Sequence, residues 1–300
     1  MTPYPSVTER LLAAGLDPGD TERAVRTALD EDFRYGPDVT SAATAAPGAR
    51  AVAGVVARQP GVLAGLPVAF AVLDAAGVPP DSGEALRNDG DGIVRGDEVL
   101  RITAPLREML GAERSLLIFL THLSGVATTT RRWADAVAGT GCTVRDTRKT
   151  TPGLRQLEKY AVRCGGGTNH RMGLGDAALV KDNHVAAAGG VAAAIRAVRA
   201  AAPGLPLEVE CDSLAQVREA LAEGAGLILL DNMDQAGLRA AVAEARRYPG
   251  TRLEASGGLR LETARAVAET GVDFIAVGAL THSSPALDLG LDMVALAPHS

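Results

Sequence analysis

The sequence is poor in cysteine and in aromatic residues, and it has no excess of basic ones. Its three cysteines are far apart and form no Cys-x-x-Cys motif, so we expect reduced thiols, as in the cytoplasm. Aromatic residues make up 3% of the chain, and 30 basic against 36 acidic residues give a formal net charge of −6. Nucleic-acid binding depends on basic patches and stacking rings, so nucleic acid is not an expected partner.

Long hydrophobic runs are also missing. The most apolar stretch, 60–73, is 14 residues long, whereas a membrane-spanning helix needs about 20. The N-terminus has neither the basic segment nor the apolar core of a signal peptide. We therefore expect a cytoplasmic protein without a membrane partner. The composition, 47% hydrophobic and 22% charged, is typical of a folded globular protein and excludes extensive disorder.

The pattern of apolar residues changes near 105–115, which suggests two domains. The first part mixes helices and strands: Ser6 and Glu9 form a capping box that opens a helix, and small apolar residues predict a strand at 51–58. Pro105 and a long helical run over 113–138 mark the change. We predict an N-terminal domain at 1–115, joined by the C-terminal segment 284–300, and a second domain at 116–283.

After the long helix, short apolar strands alternate with amphipathic helices. The predicted strands are 143–145, 178–181, 207–210, 227–230, 252–254 and 274–277. The predicted helices are 154–163, 191–201, 214–223, 235–247 and 261–270. This alternation is typical of β/α units joined by right-handed crossovers. Six units predict a β/α barrel that is incomplete relative to the eight-unit form.

Polar residues with useful chemistry follow every predicted strand. In strand order they are Arg148 with Lys149, Lys181, Glu210, Asp231, Ser256 with Gly257, and Gly278 with His282. One such residue alone is more often a helix cap or part of a surface loop. Because the active site of a β/α barrel lies at the carboxyl ends of its strands, six such positions together favour an active site there.

Basic residues concentrate between 148 and 184 although the chain is acidic overall. Arg148, Lys149, His170, Arg171 and Lys181 lie in predicted loops or at a strand end, where they can converge on one ligand. Arginine binds carboxylates and phosphates through two parallel hydrogen bonds, and lysine adds a compact charge. The expected ligand is therefore a small polyanion. A second basic set has helical i, i+4 spacing, and we interpret it as a solvated helix face: Arg155, Lys159 and Arg163.

Glycines and acids complete the predicted site. Ser256 and Gly257, before a helix, and Gly278, after the last strand, suggest a phosphate-binding loop because a helix N-terminus presents backbone N–H groups. Glu210 and Asp231 could hold Mg²⁺ on a phosphate, bind sugar hydroxyls or stabilise a developing cation. They could instead pair with nearby lysines. No His-x-His or His-x-x-x-His spacing occurs, so a tight transition-metal site is not expected.

At these residues the chain resembles the quinolinate phosphoribosyltransferases, also called carboxylating nicotinate-nucleotide pyrophosphorylases. The matching motifs are Asp146-Thr147-Arg148-Lys149-Thr150-Thr151-Pro152-Gly153-Leu154-Arg155, Gly165-Gly166-Gly167-Thr168-Asn169-His170-Arg171, Lys181-Asp182-Asn183-His184, Leu230-Asp231-Asn232-Met233, Glu254-Ala255-Ser256-Gly257-Gly258 and Val277-Gly278-Ala279-Leu280-Thr281-His282. Further matches lie at 28–32 and 61–65, so the resemblance covers nearly the whole chain.

The resemblance implies a fold, a reaction and partners. The fold is α/β, with an N-terminal α/β sandwich domain and an irregular, open β/α barrel of the type II phosphoribosyltransferases. The reaction is a pentosyl transfer with Mg²⁺, in which quinolinate and phosphoribosyl pyrophosphate give nicotinate mononucleotide, pyrophosphate and CO₂ for NAD biosynthesis. The expected assembly is a homodimer whose active sites are completed across the interface.

The resemblance also implies roles for single residues. Arg148, His170, Arg171 and Lys181 would bind the quinolinate carboxylates, with Arg114 reaching in from the partner subunit. Lys149 and Lys181 would face pyrophosphate, and Glu210 and Asp231 would serve the ribose and the metal as catalytic groups. Ser256, Gly257, Gly278 and His282 would hold the 5′-phosphate. The chain departs from the family pattern at three places outside these residues, namely Ile118, Asp32-Phe33-Arg34 and Thr168.

Three other functions remain open from the sequence. The first is a paralogue of the same fold that uses another acceptor, such as the molybdenum-transport-associated homologue or a nicotinate-using enzyme. The second is a Schiff-base lyase with Lys181 as the nucleophile. The third is a binding protein without catalysis. The full set of cations argues against a mono-acid acceptor, and the acidic pair argues against mere anion binding.

Overall fold

The computed structural model describes residues 5–297, and it divides into two compact units. Unit 1 contains residues 5–129, 150–166 and 283–297, and unit 2 contains 130–149 and 167–282. The boundary expected between 115 and 116 lies inside a helix that continues to Val137, and the units divide at 129/130 instead. An uninterrupted helix gives no local signal of where one core ends and the next begins.

The secondary structure confirms most of the predicted elements. The first half of the chain contains α1 (Val7–Ala13), α2 (Pro18–Phe33), α3 (Val39–Thr44), β1 (Arg50–Ala57), β2 (Gly61–Val62), α4 (Leu66–Ala75), β3 (Gly83–Ala85), β4 (Gly92–Ile93), β5 (Glu98–Pro105) and α5 (Leu106–Val137). The second half contains β6 (Thr143–Arg145), α6 (Arg155–Cys164), β7 (Ala178–Val180), α7 (Asp182–Ala188), α8 (Val191–Ala201), β8 (Leu207–Cys211), α9 (Leu214–Ala222), β9 (Leu227–Asp231), α10 (Gln235–Ala245), β10 (Arg252–Ser256), α11 (Leu261–Ala268), β11 (Phe274–Ala276), α12 (Ala279–His282) and β12 (Leu289–Ala297).

Unit 1 is built on an antiparallel sheet with the strand order β12-β1-β5-β3. In β1 the alternate residues Ala51, Ala53, Val55 and Ala57 are fully buried, as expected for a strand with one face in the core. Helix α1 begins with the predicted capping box, because the Ser6 hydroxyl accepts the N–H of Glu9 while the Glu9 carboxylate accepts the N–H of Ser6. Helices α1 and α2 pack on the buried helix α4.

Unit 2 contains the predicted parallel sheet, with the strand order β6-β11-β10-β9-β8-β7. Each strand contributes at least one nearly inaccessible apolar side chain to the core, among them Val144, Val180, Val209, Ile228, Leu253 and Ile275. Because β6 and β7 stand at opposite ends of the strand order, the six units form an open barrel, and the predicted fold class is confirmed. Parallel strands bring their carboxyl ends to one edge, which places all the polar strand ends together.

Helix α6 corrects one interpretation of the sequence. The i, i+4 spacing of Arg155, Lys159 and Arg163 predicts a solvated face, but Lys159 is fully buried. Residues 157–162 are all buried whereas Arg163 is exposed, so the i, i+4 spacing does not mark one continuous solvent face. The neighbouring Glu158 is equally buried and pairs through Oε1 with His122 Nε2 at 2.9 Å.

Two further observations bear on the sequence-based expectations. Cys142, Cys164 and Cys211 are free, and burial raises the pKa of each thiol to about 12, which makes them poor nucleophiles. Between residues 5 and 297, no helix is both long enough and apolar enough to cross a membrane.

Candidate active site

A cavity of about 630 Å³ opens at the carboxyl edge of the parallel sheet in unit 2. Nine of the residues singled out from the sequence line it: Arg148, Lys149, His170, Arg171, Lys181, Glu210, Asp231, Ser256 and Gly257. Thr147, Asn232, Glu254 and Gly258 contribute to the same wall. The structure thus gathers on one surface groups that are more than 100 residues apart in sequence.

Three predicted residues do not line this cavity. Gly278 and His282 lie beside it, because a Cβ on Gly278 would be 2.9 Å from Lys149 Cδ and 3.6 Å from His282 Nε2. The hydroxyl of Thr281 donates to the Lys149 carbonyl at 2.7 Å and fixes this contact. Arg114 is exposed on α5 and belongs to unit 1.

The two predicted acids end neighbouring strands. Glu210 in β8 stands opposite Leu229 in β9, and Asp231 ends β9 two residues further on. Lys181 Nζ donates to Glu210 Oε2 at 2.5 Å. Glu210 therefore pairs with a lysine, which was one of the alternatives that the sequence left open. Asp231 Oδ2 accepts the side-chain amide of Asn232 at 2.7 Å. Both acids line the cavity, where a ligand can reach them.

Gly257, in the loop after β10, has no room for a side chain. Its φ is +89°, and a Cβ there would collide with Asn232 Oδ1. Asn232 itself adopts a left-handed conformation with φ 52°, and its N–H donates to the Ser256 carbonyl at 2.9 Å. The loop is therefore fixed against the end of β9, and its backbone lines the cavity just before α11 begins.

His170 lies in a buried network that the sequence did not reveal. Its Nε2 is 2.6 Å from Glu208 Oε2, and its Nδ1 accepts the backbone N–H of Arg171 at 2.8 Å. Asp146, which is fully buried, accepts the backbone N–H of His170 at 2.9 Å. Glu208 stands two residues before Glu210 in β8, so their side chains leave the same face of the strand. This two-residue spacing is the sequence feature that could have placed Glu208 near the site.

A second buried acid, Glu254 of β10, completes the network. Its Oε2 accepts Arg145 Nη1 at 2.6 Å, and its Oε1 is 3.7 Å from His170 Nε2. Burial, reinforced by the nearby charge of Glu208, raises the pKa of Glu254 to about 7. The Oε1 atoms of Glu208 and Glu254 are both buried without a hydrogen-bond partner.

The trio of His170, Glu208 and Glu254 has the spacing of a metal site, since its ligand atoms lie within 4.8 Å of one another. The hydrogen bond at Nδ1 argues against that role. A neutral imidazole has one N–H, and because Nδ1 accepts from Arg171, the proton must be on Nε2. Nε2 then donates to Glu208 and has no lone pair for a metal ion. The trio is a hydrogen-bonded support beneath the cavity.

The cations above this support are crowded. Burial and the charge of Arg148 both lower the pKa of Arg171. The Nε atoms of Arg148 and Arg171 are buried and have no hydrogen-bond partner. Arg171 uses Nη1 to donate to the Ala177 carbonyl at 2.9 Å, which holds its guanidinium in place. An anion bound to these arginines would satisfy their donors and relieve their mutual repulsion.

Glu254→Gln should change stability in a pH-dependent way. Folded protein keeps the Glu254 proton up to about pH 7, whereas the ordinary value is 4.5. Between these values the folded state binds more protons than the unfolded state, so the stability of the wild type falls as the pH rises, and glutamine has no proton to lose. The melting temperature of the variant relative to wild type should increase from pH 5 to pH 8.

Glu244→Gln is the matched control for this measurement. Arg218 lowers the pKa of half-buried Glu244, so its contribution is constant between pH 5 and pH 8. The same relative melting temperature of Glu254→Gln at both pH values would contradict the raised pKa.

Comparison with known proteins assigns both halves of the chain to one family. Residues 38–124 match the family model described as "Quinolinate phosphoribosyl transferase, N-terminal domain". Residues 126–292 match the model of the corresponding C-terminal domain. Together the two matches cover the whole parallel sheet and every residue that lines the cavity.

Individual relatives agree with the family models. A nicotinate-nucleotide pyrophosphorylase [carboxylating] from Mycobacterium leprae is 54% identical over 271 residues, covering 90% of this chain and 95% of the relative. A probable enzyme of the same name from Bacillus subtilis is 40% identical over 246 residues, covering 80% and 82%. The solved structure of the nicotinate-nucleotide pyrophosphorylase from Francisella tularensis superposes with a TM-score of 0.86 at 34% identity, covering 93% of this chain and 97% of that one. The chain belongs to the quinolinate phosphoribosyltransferase family.

Proposed function

We propose that the protein transfers the phosphoribosyl group of phosphoribosyl pyrophosphate to quinolinate with decarboxylation. The products are nicotinate mononucleotide, pyrophosphate and CO₂, and the reaction is a step of NAD biosynthesis. The family membership and the names of the relatives support the reaction. The observation that carries it is the group of four cations, Arg148, Lys149, Arg171 and Lys181, on one cavity of an acidic protein.

The paired arginines suit a dicarboxylate acceptor. Quinolinate carries two adjacent carboxylates, and Arg148 and Arg171 both have unsatisfied buried donors. Charge-assisted pairs with arginine are short and directional, so they can orient the ring as well as bind it. A single carboxylate would leave part of this positive charge uncompensated, which favours quinolinate over nicotinate as the acceptor.

The other side of the cavity suits the phosphoribosyl donor. The rigid loop at Ser256 and Gly257 offers backbone donors before α11 and fits the 5′-phosphate. We assign Lys149 and Lys181, which line the cavity, to the leaving pyrophosphate, whose charge rises as its bond to the anomeric carbon breaks. We assign Gly278, which lies against the Lys149 side chain, and His282 beside Gly278 to the 5′-phosphate as well.

We assign Glu210 and Asp231 to the ribosyl-transfer step. Displacement at the anomeric carbon develops positive charge, which adjacent carboxylates stabilise. Their oxygen donors also fit Mg²⁺, which commonly binds one or two protein carboxylates together with substrate phosphates. When bound, Mg²⁺ would neutralise charge on the pyrophosphate. The protein's own part in the subsequent loss of CO₂ is positioning, because the ring nitrogen that has been ribosylated is positive and stabilises the carbanion next to it.

We also propose a homodimer with shared active sites. Arg114 is exposed on α5 in unit 1, while the cavity is lined by unit 2 alone. An arginine from a partner subunit would add a fifth cation to the acceptor site. The alternative for Arg114 is a surface ion pair without a role in catalysis.

Arg148→Ala and Arg171→Ala should each raise the quinolinate KM by about 10- to 100-fold, because each removes a charge-assisted hydrogen bond of about 1.5–3 kcal/mol. The KM for phosphoribosyl pyrophosphate should change little. The measurement is a steady-state assay with both substrates varied, with nicotinate as the comparison acceptor and Arg239→Ala, on the outer helix α10, as the control. Turnover of nicotinate as efficient as that of quinolinate would refute the dicarboxylate assignment.

Glu210→Gln and Asp231→Asn should lower kcat by about 10²- to 10³-fold, the scale of losing one preorganised electrostatic group. Both substitutions keep the shape of the side chain and remove its charge. Quinolinate KM should stay constant or fall, since a charge that repels the dianion is gone. If the acids serve only as partners of the lysines, kcat stays near the wild-type value while stability and quinolinate binding fall together.

Mixing Arg114→Ala with Lys181→Ala protein tests the shared site. If Arg114 acts on the partner's cavity, each exchanged dimer contains one site with both lesions and one site with neither. Activity should then return to one wild-type site per mixed dimer, measured after subunit exchange has been verified by mass spectrometry. Exchange without recovered activity would show that the two residues do not serve a common site across subunits.

A further inference from the structure

The backbone of Lys149 is held on both sides of its side chain. Its N–H donates to the Thr147 hydroxyl at 3.0 Å, and its carbonyl accepts the Thr281 hydroxyl at 2.7 Å. The stem of the lysine passes close to Gly278, where a Cβ would be 2.9 Å from Lys149 Cδ. These three contacts fix the base of a side chain that is itself exposed and lines the cavity.

The strand order explains how Thr281 reaches this loop. Strands β6 and β11 are neighbours in the parallel sheet, so the segments that follow them leave the same edge side by side. The loop after β6 carries Lys149, and α12, which follows β11, carries Thr281. The hydrogen bond therefore joins two segments of the cavity edge that are 132 residues apart in sequence.

Thr281 itself is out of reach of any substrate. Its side chain is 0% exposed, so no ligand atom in the cavity can contact it. A hydroxyl has one proton to donate, and the Lys149 carbonyl is the nearer acceptor, since the Gly278 carbonyl lies at 3.2 Å. An effect of Thr281 on ligand binding must therefore pass through the backbone that it holds.

We propose, on the basis of the proposed function, that Thr281 is a positioning residue that fixes Lys149 for binding the leaving pyrophosphate. The lysine ammonium stands on a flexible four-carbon stem, and a fixed backbone limits the space that it can sample. Less conformational freedom is then lost when it binds an anion. The bond lies on the carboxyl side of Lys149, so we expect it to affect Lys149 more than Arg148, which precedes it.

Two substitutions separate the hydrogen bond from the size of the side chain. Thr281→Val keeps the shape and removes the donor, whereas Thr281→Ser keeps the donor and removes a methyl group. Titration calorimetry with inorganic pyrophosphate and Mg²⁺ measures the subsite without turnover. We expect the pyrophosphate Kd to rise about tenfold in Thr281→Val and to stay within about threefold of wild type in Thr281→Ser. The quinolinate KM should stay within about threefold in both variants.

An unchanged pyrophosphate Kd in Thr281→Val would overturn the proposal. So would a loss of affinity in Thr281→Ser as large as in Thr281→Val, because the serine variant retains the donor. If the valine variant does not fold, Thr281→Ala takes its place, since alanine also lacks the donor and is smaller.

Thr270→Val is the matched control for a merely structural effect. Thr270 is 6% exposed, and its hydroxyl donates to the Val267 carbonyl at 2.6 Å, before β11 begins and thus at the other end of that strand from α12. Both valine variants lose a buried hydroxyl bond, so both should lower the melting temperature. Only Thr281→Val should weaken pyrophosphate binding, and an equal loss of affinity in Thr270→Val would overturn the proposal.

A double-mutant cycle with Lys149→Ala tests whether the effect passes through the lysine. Without the lysine side chain, Thr281→Val should change the pyrophosphate Kd by less than about twofold. A tenfold loss in both backgrounds would show that Thr281 acts on the subsite by another route, and the proposal would fall.

The binding measurement also separates this proposal from the proposed function. A wild-type protein that binds pyrophosphate with the expected pattern among the variants, but does not turn over quinolinate, would refute the proposed function and leave the role of Thr281 intact. Turnover by the wild type with equal pyrophosphate affinity in the valine and serine variants would overturn the role of Thr281 alone. A wild-type protein that does not bind pyrophosphate would overturn both.

Discussion

The active cavity depends on holding several positive charges together before any anion arrives. Arg148, Lys149, Arg171 and Lys181 line one surface, and burial together with the charge of Arg148 lowers the pKa of Arg171. Left alone, such side chains would turn toward solvent. The parallel sheet prevents this, because its six strands bring their carboxyl ends to one edge and fix the loops from which these side chains extend.

Acids in and below the cavity supply counter-charge to these cations. Glu210 holds Lys181 directly, and Glu254 neutralises Arg145 below the cavity. Glu208 and Asp146 act indirectly. Glu208 contacts the His170 ring and Asp146 accepts the backbone N–H of His170, which holds the segment that carries Arg171. The cost of burying these carboxylates is visible in the raised pKa of Glu254. Burying these carboxylates lowers the stability of the folded protein. It also preorganises a site for polyanions, so that less reorganisation is needed when the substrates bind.

The sequence predicts the sheet and the cavity well for a physical reason. Buried parallel strands are short and apolar, and polar residues at their ends stand out against them; Arg148, Lys181 and Asp231 were found in this way. The sequence predicts the buried polar residues poorly. Lys159 has the spacing of a solvated helix face although it is buried, and Glu254 has no local feature that separates it from a surface acid. Their environments depend on tertiary contacts that local periodicity does not encode.

The central claim is that one cavity joins ribosyl transfer to decarboxylation of a dicarboxylate. The most direct measurement uses quinolinate labelled in the 2-carboxylate and follows labelled CO₂, pyrophosphate and nicotinate mononucleotide in the same reaction. The account predicts that all three appear in equal amounts and that none appears when either substrate is omitted. Pyrophosphate without CO₂, or CO₂ without phosphoribosyl pyrophosphate, would contradict it.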